Sequence, residues 1–134
     1  MIELIDLQEI TDKRGSIHVY ERFDDIPMDV KRFYMLSNLN ESDRGFHAHK
    51  QLTQLAVCVS GSCTISLDNG ITIDSVELNS PSKGLVIRSM IWREMSGFSK
   101  DCVLLVFADH AYDENDYIRD YDHFKSLVQK TDAQ

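Results

Sequence analysis

Short runs of β-favouring residues, separated by turn residues at intervals of about ten positions, dominate this sequence. Some runs alternate apolar and polar residues and others are continuously apolar, as strands of layered β structures do. Asp68-Asn69-Gly70 between two of the runs is a strong hairpin signal. The pattern predicts an all-β sandwich or barrel, with a jelly-roll barrel as the preferred architecture. The main predicted strands lie at residues 2–7, 16–20, 32–37, 53–60, 63–67, 71–78, 85–87 and 101–108.

The C-terminal part of the chain has a different periodicity. In residues 120–130, Tyr121, Phe124, Leu127 and Val128 recur at the spacing of one helix face. This spacing predicts one short C-terminal helix that packs on the outside of the β structure.

Length and charge exclude several classes of protein. The 134 residues suit a single domain spanning 1–134. The net charge of −8 argues against nucleic-acid partners and against attachment to anionic membranes, because both usually require a basic surface. No segment approaches the roughly 18 apolar residues of a membrane span, and residues 1–9 lack the basic start of a secretory signal. We therefore expect a cytoplasmic protein whose three cysteines are reduced and buried.

The stretch Arg44-Gly45-Phe46-His47-Ala48-His49-Lys50 is the first candidate for chemistry. Alternate residues of a strand face the same side, so His47 and His49 would point into one space. A same-face pair beside Arg and Gly favours a functional site over two structural histidines. The mouth of a jelly-roll barrel is a natural place for a small ligand.

The spacing from His47-x-His49 to Gln54 and then to Gly61 resembles the first motif of the cupin superfamily. Metal-binding cupins have Glu where this chain has Gln54, and their third His corresponds to Arg93. A catalytic metal usually needs three protein ligands, and Arg is a cation that cannot ligate one. We therefore predict a cupin without metal or other cofactor, whose histidines are available for acid–base work near neutral pH.

The whole chain resembles a narrower family, the dTDP-sugar 3,4-ketoisomerases, which are small cupins similar to the dTDP-4-keto-6-deoxyglucose epimerases. The resemblance implies isomerisation of dTDP-4-dehydro-6-deoxyglucose, with the ketone moving from C4 to C3 through an enediol. It also implies a homodimer, and a place in making 3-amino-3,6-dideoxy sugars for surface glycans such as O-antigen lipopolysaccharide or S-layer glycan. The motifs that carry it are Arg14-Gly15-Ser16, Val30-Lys31-Arg32, residues 44–50, Gly61-Ser62-Cys63, Trp92 and the specific tail at residues 112–122.

The resemblance also implies catalytic roles. His49 corresponds to the base that moves the proton between the two carbons, and His47 would hydrogen-bond the sugar oxygens and stabilise the enediolate. Tyr34 is the candidate to relay a proton at a sugar hydroxyl, although a core aromatic with a hydrated hydroxyl is an equal alternative. Family members often have a second tyrosine where this chain has Met35, so the catalytic tyrosine could also be absent.

Cations are needed for the diphosphate, and arginine forks suit phosphate oxygens better than lysines. Arg14, Arg32 and Arg44 lie in the family-like motifs and are the candidate ligands, with a surface ion pair as the alternative for each. Trp92 could stack on the base or sugar, or belong to the core. Arg93 replaces a frequent His and would shape the sugar pocket.

Two rival functions remain at this stage. An epimerase acting on the same nucleotide sugar would use a His base and a Tyr acid on opposite faces of the ring. A non-catalytic cupin would bind the sugar nucleotide without turnover. The family-like tail favours the ketoisomerase over the epimerase.

Overall fold

The computed structural model describes residues 1–22 and 24–132, with side chains described as far as Lys130. A 3₁₀ helix spans Glu114–Asp116, and one α-helix, α1, spans Tyr121–Asp132. The strands are β1 Glu3–Asp6, β2 Gln8–Asp12, β3 Gly15–Val19, β4 Arg32–Leu36, β5 Arg44–His49, β6 Gln54–Ser60, β7 Cys63–Asp68, β8 Ile73–Leu78, β9 Lys83–Ile87, β10 Trp92–Ser96, β11 Val103–Ala108 and β12 Tyr117–Ile118.

Two five-stranded antiparallel sheets form the body of the fold. Their strand orders are β1-β9-β6-β11-β4 and β12-β5-β10-β7-β8. Strands β2 and β3 form a separate two-stranded hairpin. The crossovers between the sheets give the predicted all-β cupin jelly roll with a short C-terminal helix, which is confirmed.

The main core lies between the two sheets. It contains apolar side chains of β6 and β11, whose register pairs Val106 with Ala56 and Leu104 with Cys58. Both strands are central in their sheet, which explains why they appear in the sequence as continuous apolar runs.

The predicted turn at Asp68-Asn69-Gly70 connects β7 to β8. Gly70 adopts a φ of +89°, which a residue with a side chain rarely takes, and its backbone lies directly under α1. A Cβ at this position would lie 2.9 Å from Val128 Cγ1 of the helix. The turn therefore needs glycine for its backbone angle and also for close helix packing.

Helix α1 covers the outer face of the sheet that contains β5 and β10. Phe124 is completely buried and packs with Ala48, Trp92 and Ile118, while the Tyr121 hydroxyl donates to Asp68 Oδ2 at 2.6 Å. The predicted helix is confirmed, and it supports from behind the two strands that carry the site. At 12 residues it is too short to cross a bilayer, and no helix in the described ranges is long and apolar enough to do so.

Candidate active site

The two histidines of β5 lie side by side at one end of the barrel. Their ring centroids are 4.9 Å apart and the ring planes are nearly perpendicular, at 87°. Tyr117 of β12 contacts both rings, at 5.0 Å from His47 and 4.4 Å from His49. The structure therefore brings the predicted pair together and adds an aromatic wall that the sequence analysis did not identify.

Asp116 holds the ring of His49 from one side. Its Oδ2 lies 3.2 Å from His49 Nδ1, and its carboxylate also accepts the backbone N–H groups of Gln51 and Leu52 at 2.9 and 3.2 Å. A carboxylate at Nδ1 favours the tautomer whose proton sits on that nitrogen, which leaves Nε2 as the basic atom. Nε2 is buried and has no hydrogen-bond partner among the described residues.

Both imidazoles are neutral at physiological pH. Burial, reinforced by the positive charge of Arg93, lowers the pKa of His47 to about 4 and that of His49 to about 3. A neutral imidazole can accept a proton, so the environment keeps both side chains in the form that a general base requires.

A buried chain of polar groups runs from Arg93 on β10, the strand paired with β5, to Gln54 and Tyr34 on the opposite sheet. The Arg93 guanidinium, 2% exposed, donates to Gln54 Oε1 and to the carbonyl of Ile91, and Gln54 Nε2 donates to the Tyr34 hydroxyl at 2.9 Å. Burial lowers the pKa of Arg93 to about 10, so this group remains a cation at pH 7. Its Nε has no partner among the described residues. Gln54 and Arg93, the two positions where the sequence analysis expected a metal-binding cupin to have Glu and His, thus hold an amide and a cation.

Two adjoining cavities open at this end of the barrel. The larger has a volume of about 480 Å³ and is lined by Tyr34 and His47. The smaller, about 370 Å³, is lined by His49 and Asp116. Arg32, Tyr112 and Tyr117 line both cavities.

Arginines concentrate at the larger cavity in an otherwise acidic protein. Arg32, Arg44, Arg93 and Arg119 all line it. The Arg32 guanidinium lies over the ring of Tyr34 at 4.9 Å, and its Nε is buried without a partner in the described ranges. Arg119 lies 4.1 Å from the Tyr117 ring centroid. Arg119 also donates from Nε and Nη2 to the Glu114 carboxylate at 2.8 and 3.0 Å, so the positive charge that makes the cavity suitable for a dianionic ligand comes mainly from the other three arginines.

Two of the predicted binding residues lie elsewhere. Arg14 is at the tip of the β2–β3 hairpin, where it is 88% exposed and pairs with Asp12 at 2.6 Å. Trp92 lies on the face of β10 opposite Arg93, is 4% exposed, and packs in the core under α1. Within this chain, Arg14 is therefore a surface ion pair and Trp92 a core residue, the alternatives raised for both.

Tyr34 and Met35 occupy opposite sides of β4. Tyr34 is half-buried and hydrogen-bonded at the cavity, whereas the Met35 side chain is 64% exposed. Burial raises the pKa of Tyr34, so its hydroxyl remains protonated at neutral pH. Both residues contribute to the lining of the larger cavity, and alternation along the strand directs the Tyr34 hydroxyl towards Gln54 inside it.

Asp116 and Tyr117 are the site residues that the sequence analysis missed, and Arg119, whose acidic neighbours in the sequence indicated a structural ion pair, pairs with Glu114 and also lines the cavity. All three lie in the tail motif at residues 112–122, which was identified only as a mark of resemblance. The signal was that this segment contains five acidic, three aromatic and one basic side chain without forming a long regular element. Its short strand β12 pairs with β5, placing Tyr117 opposite His49.

Comparison with known proteins agrees with this geometry. Residues 1–129 match the family described as FdtA: WxcM-like, C-terminal. The TDP-4-oxo-6-deoxy-alpha-D-glucose-3,4-oxoisomerase of Aneurinibacillus thermoaerophilus is 45% identical over 129 residues, which cover 96% of this chain and 93% of that protein.

Two solved structures are similar over the same extent. One is a mutant of the 3,4-ketoisomerase QdtA from Thermoanaerobacterium thermosaccharolyticum in complex with TDP-4-keto-6-deoxyglucose. It is 42% identical, with a TM-score of 0.93 and coverage of 96% of this chain and 94% of that one. The other, a 3,4-ketoisomerase from Helicobacter canadensis, is 40% identical, with a TM-score of 0.92 and coverage of 96% and 97%.

Proposed function

Because this chain belongs to the FdtA, WxcM-like family of TDP-sugar 3,4-ketoisomerases, we propose that it converts TDP-4-keto-6-deoxyglucose into the corresponding 3-keto sugar. It is an isomerase, and its resemblance to this family is confirmed. The observation that carries the proposal is the neutral imidazole pair, 4.9 Å apart, beside a cavity lined by four arginines.

The reaction requires a proton to move between neighbouring carbons. The C3 hydrogen lies α to the C4 ketone, so a base can remove it as the C4 oxygen takes up a proton, giving a 3,4-enediol. Loss of the proton from the C3 oxygen and addition of a proton at C4 then give the 3-ketone. Atoms and charge balance without an oxidant, because the hydrogen lost at C3 is replaced by one at C4.

His49 is the base in this proposal. Asp116 holds its Nδ1 proton, and the unpartnered Nε2 is the atom that accepts the C3 proton and returns it to C4. The Nδ1–H of His47 donates to the Gly45 carbonyl at 3.0 Å, so its Nε2 accepts a hydrogen bond from a sugar hydroxyl, and Tyr34 relays the proton at a sugar hydroxyl. The sugar ring lies where the two cavities adjoin.

Arg93 stabilises the enediolate. Its guanidinium is buried and donates to Gln54 and to the carbonyl of Ile91, both neutral acceptors, so its charge is available to an anion that forms beside it. A preorganised cation in a dry site stabilises developing negative charge more strongly than water does. Arg32 and Arg44, with Arg119, bind the diphosphate.

A homodimer is the proposed assembly. Four large apolar side chains are half to two-thirds exposed on the hairpin and on edge strand β4: Ile10, Ile17, Phe33 and Met35. Exposed apolar surface beside an unpaired strand edge is typical of an interface. The double substitution of Phe33 and Met35 by Asp should give a monomer in sedimentation experiments. Ile71→Asp, at an equally exposed site in the β7–β8 turn, should not.

The proposed setting is the cytoplasm, in the synthesis of 3-amino-3,6-dideoxy sugars for surface glycans such as O-antigen or S-layer glycan. Three free, buried cysteines support a reducing compartment. The net charge of −8 supports a small-molecule partner rather than nucleic acid or an anionic membrane.

Product identification tests the proposed function directly. Proton NMR of TDP-4-keto-6-deoxyglucose with the enzyme in deuterated buffer should show a 3-keto product, with any solvent deuterium confined to C4 of the product and C3 of the remaining substrate. Deuterium at C5 with a retained C4 ketone would instead indicate an epimerase. Tight TDP binding with no new sugar over hours would indicate a non-catalytic binding protein.

A further inference from the structure

Three cysteines from distant parts of the sequence converge in the core, away from the imidazoles. Cys58 lies on β6, Cys63 begins β7 and Cys102 immediately precedes β11. Their three Sγ atoms all lie within 4.8 Å of one another, and the Cys58–Cys102 distance is 3.9 Å. Each residue is 1–2% exposed. The cysteine triangle is the one group of three or more His, Cys, Asp or Glu side chains in the described ranges with such spacing.

The cysteine triangle is separate from the sugar site. Gln54, at the cavity, and Cys58 are four residues apart on the same strand, a distance of about 13 Å along β6. Ile65, Leu85 and Leu104 belong to the same cluster as the sulfurs, and the carbonyls of Ser60 and Gly61 accept from Cys58 Sγ at 3.1 and 3.3 Å. The reaction proposed above does not use these thiols.

The spacing of the sulfurs matches a trigonal thiolate site. Metal–sulfur bonds of about 2.3 Å place three ligand sulfurs roughly 4 Å apart around a central ion. The Cys58 and Cys102 sulfurs, 3.9 Å apart, already have this spacing, and the Cys63 sulfur would need to move by less than 1 Å to reach it. The ion would replace the three thiol protons at the centre of the triangle, so no separate cavity is required.

We propose that Cys58, Cys63 and Cys102 form a binding site for one soft metal ion of the class that includes Zn²⁺, Cd²⁺ and Cu⁺. Sulfur donors without a neighbouring imidazole or carboxylate ligand select such ions over Mg²⁺ or Ca²⁺. On binding, each cysteine releases its thiol proton to solvent, and each Sγ donates a lone pair to the ion. The bound ion would cross-link the β6–β7 turn to the start of β11.

Two hydrogen bonds, here called the latch, hold together the loops that precede Cys63 and Cys102. Ser62 N donates to Ser99 Oγ at 2.9 Å, and Ser99 Oγ donates to Asp101 Oδ1 at 2.8 Å. The turn beneath is tight, because a Cβ on Gly61 would lie 2.2 Å from Ser99 Oγ. Opening the two short loops that carry this latch would admit an ion without disturbing the sheets.

Cadmium titration of the protein tests the proposal. One Cd²⁺ per chain should produce the ultraviolet absorption of a cadmium–thiolate bond and raise Tm, because ligand binding to the folded state stabilises it. Cys102→Ser should lose the absorption while sugar turnover, which uses none of these thiols, continues. His47→Asn should keep the absorption, which excludes the imidazole pair as the source.

Several results would overturn the metal site. The first would be that one equivalent of Cd²⁺ produces no thiolate absorption. The others would be that the absorption persists in Cys102→Ser or disappears in His47→Asn. If Cys102→Ser does not fold, Cys63→Ala serves as the second variant with the same expected loss. These experiments do not depend on the proposed ketoisomerase activity, so the two proposals can fail separately.

Discussion

His49 Nδ1 and Asp116 Oδ2 lie 3.2 Å apart although 67 residues separate them in the chain. The contact exists because β12 pairs with β5, which brings the end of the 3₁₀ helix against the last residue of the histidine strand. The proposed base therefore depends on the tail motif for its tautomer and orientation. This gives a structural reason why the tail accompanies the histidine pair.

Asp116→Asn should lower kcat by about 10- to 100-fold with little change in KM. An amide at this position no longer requires the proton to stay on His49 Nδ1, so part of the general-base contribution is lost. The matched control is Asp113→Asn, which changes the cap of the same 3₁₀ helix without touching His49. Steady-state kinetics on the TDP-keto sugar measure both, and equal losses in the two variants would indicate a merely structural role.

The pH dependence of kcat/KM should have no acid limb from histidine between pH 8 and pH 5.5. The pKa of His49 is lowered to about 3 by burial and by Arg93, so the neutral base persists across this range. An ordinary histidine with a pKa near 6.5 would lose about tenfold in activity by pH 5.5. Initial rates across this range, with circular dichroism to verify folding, distinguish the two. A tenfold fall with a midpoint near 6.5 would contradict the burial argument.

Stability should fall as the pH decreases from about 6.5 towards 4. The folded-state pKa values of His47 and His49 lie below the unfolded value, so the unfolded chain binds more protons in this window. The stabilisation is therefore fully present above pH 7 and is lost on acidification. Urea midpoints at pH 8 and pH 5 measure this effect, and His49→Asn should show a smaller difference between the two. If the difference between the urea midpoints at pH 8 and pH 5 is the same in His49→Asn as in the wild type, other titrating groups account for the pH dependence of stability.

Arg93→Met should lower kcat by about 100-fold or more, the usual cost of losing one preorganised group that stabilises an anion. It should also raise the pKa values of His47 and His49, which the buried guanidinium lowers. Arg44→Met, at the exposed rim of the same cavity, should mainly raise KM. Kinetics and histidine NMR titrations measure the two effects. A kcat within threefold of wild type in Arg93→Met would remove Arg93 from the enediolate role.

The sequence could predict features that depend on local pattern. Strand alternation and the turn at Asn69-Gly70 are local, so the barrel and the β7–β8 hairpin could be predicted. The histidine pair needs only a period of two along one strand. The same alternation could have separated Trp92 from Arg93, because neighbours on β10 face opposite sides and Arg93 faces the cavity.

Features that depend on distant pairing could not be predicted. The Asp116–His49 contact requires β12 to dock on β5, and no local pattern specifies that docking. The location of Arg14 depends on the β2–β3 hairpin forming its own sheet, which composition does not reveal. The convergence of Cys58, Cys63 and Cys102 likewise requires three strands to meet.

Trp92→Phe should cost about 1–3 kcal/mol of stability, within the usual range for a core substitution, and leave the KM for the TDP-keto sugar within twofold. The indole is 4% exposed, packs edge-to-face against Tyr121 at 5.2 Å, and donates to Glu94 Oε2 at 2.9 Å, so its loss affects the layer under α1. Tyr34→Phe should show the reverse, with reduced kcat and near-normal stability. Urea denaturation and steady-state kinetics compare the pair. A tenfold loss of TDP affinity in Trp92→Phe with unchanged stability would instead indicate that Trp92 stacks on the base or sugar of the ligand.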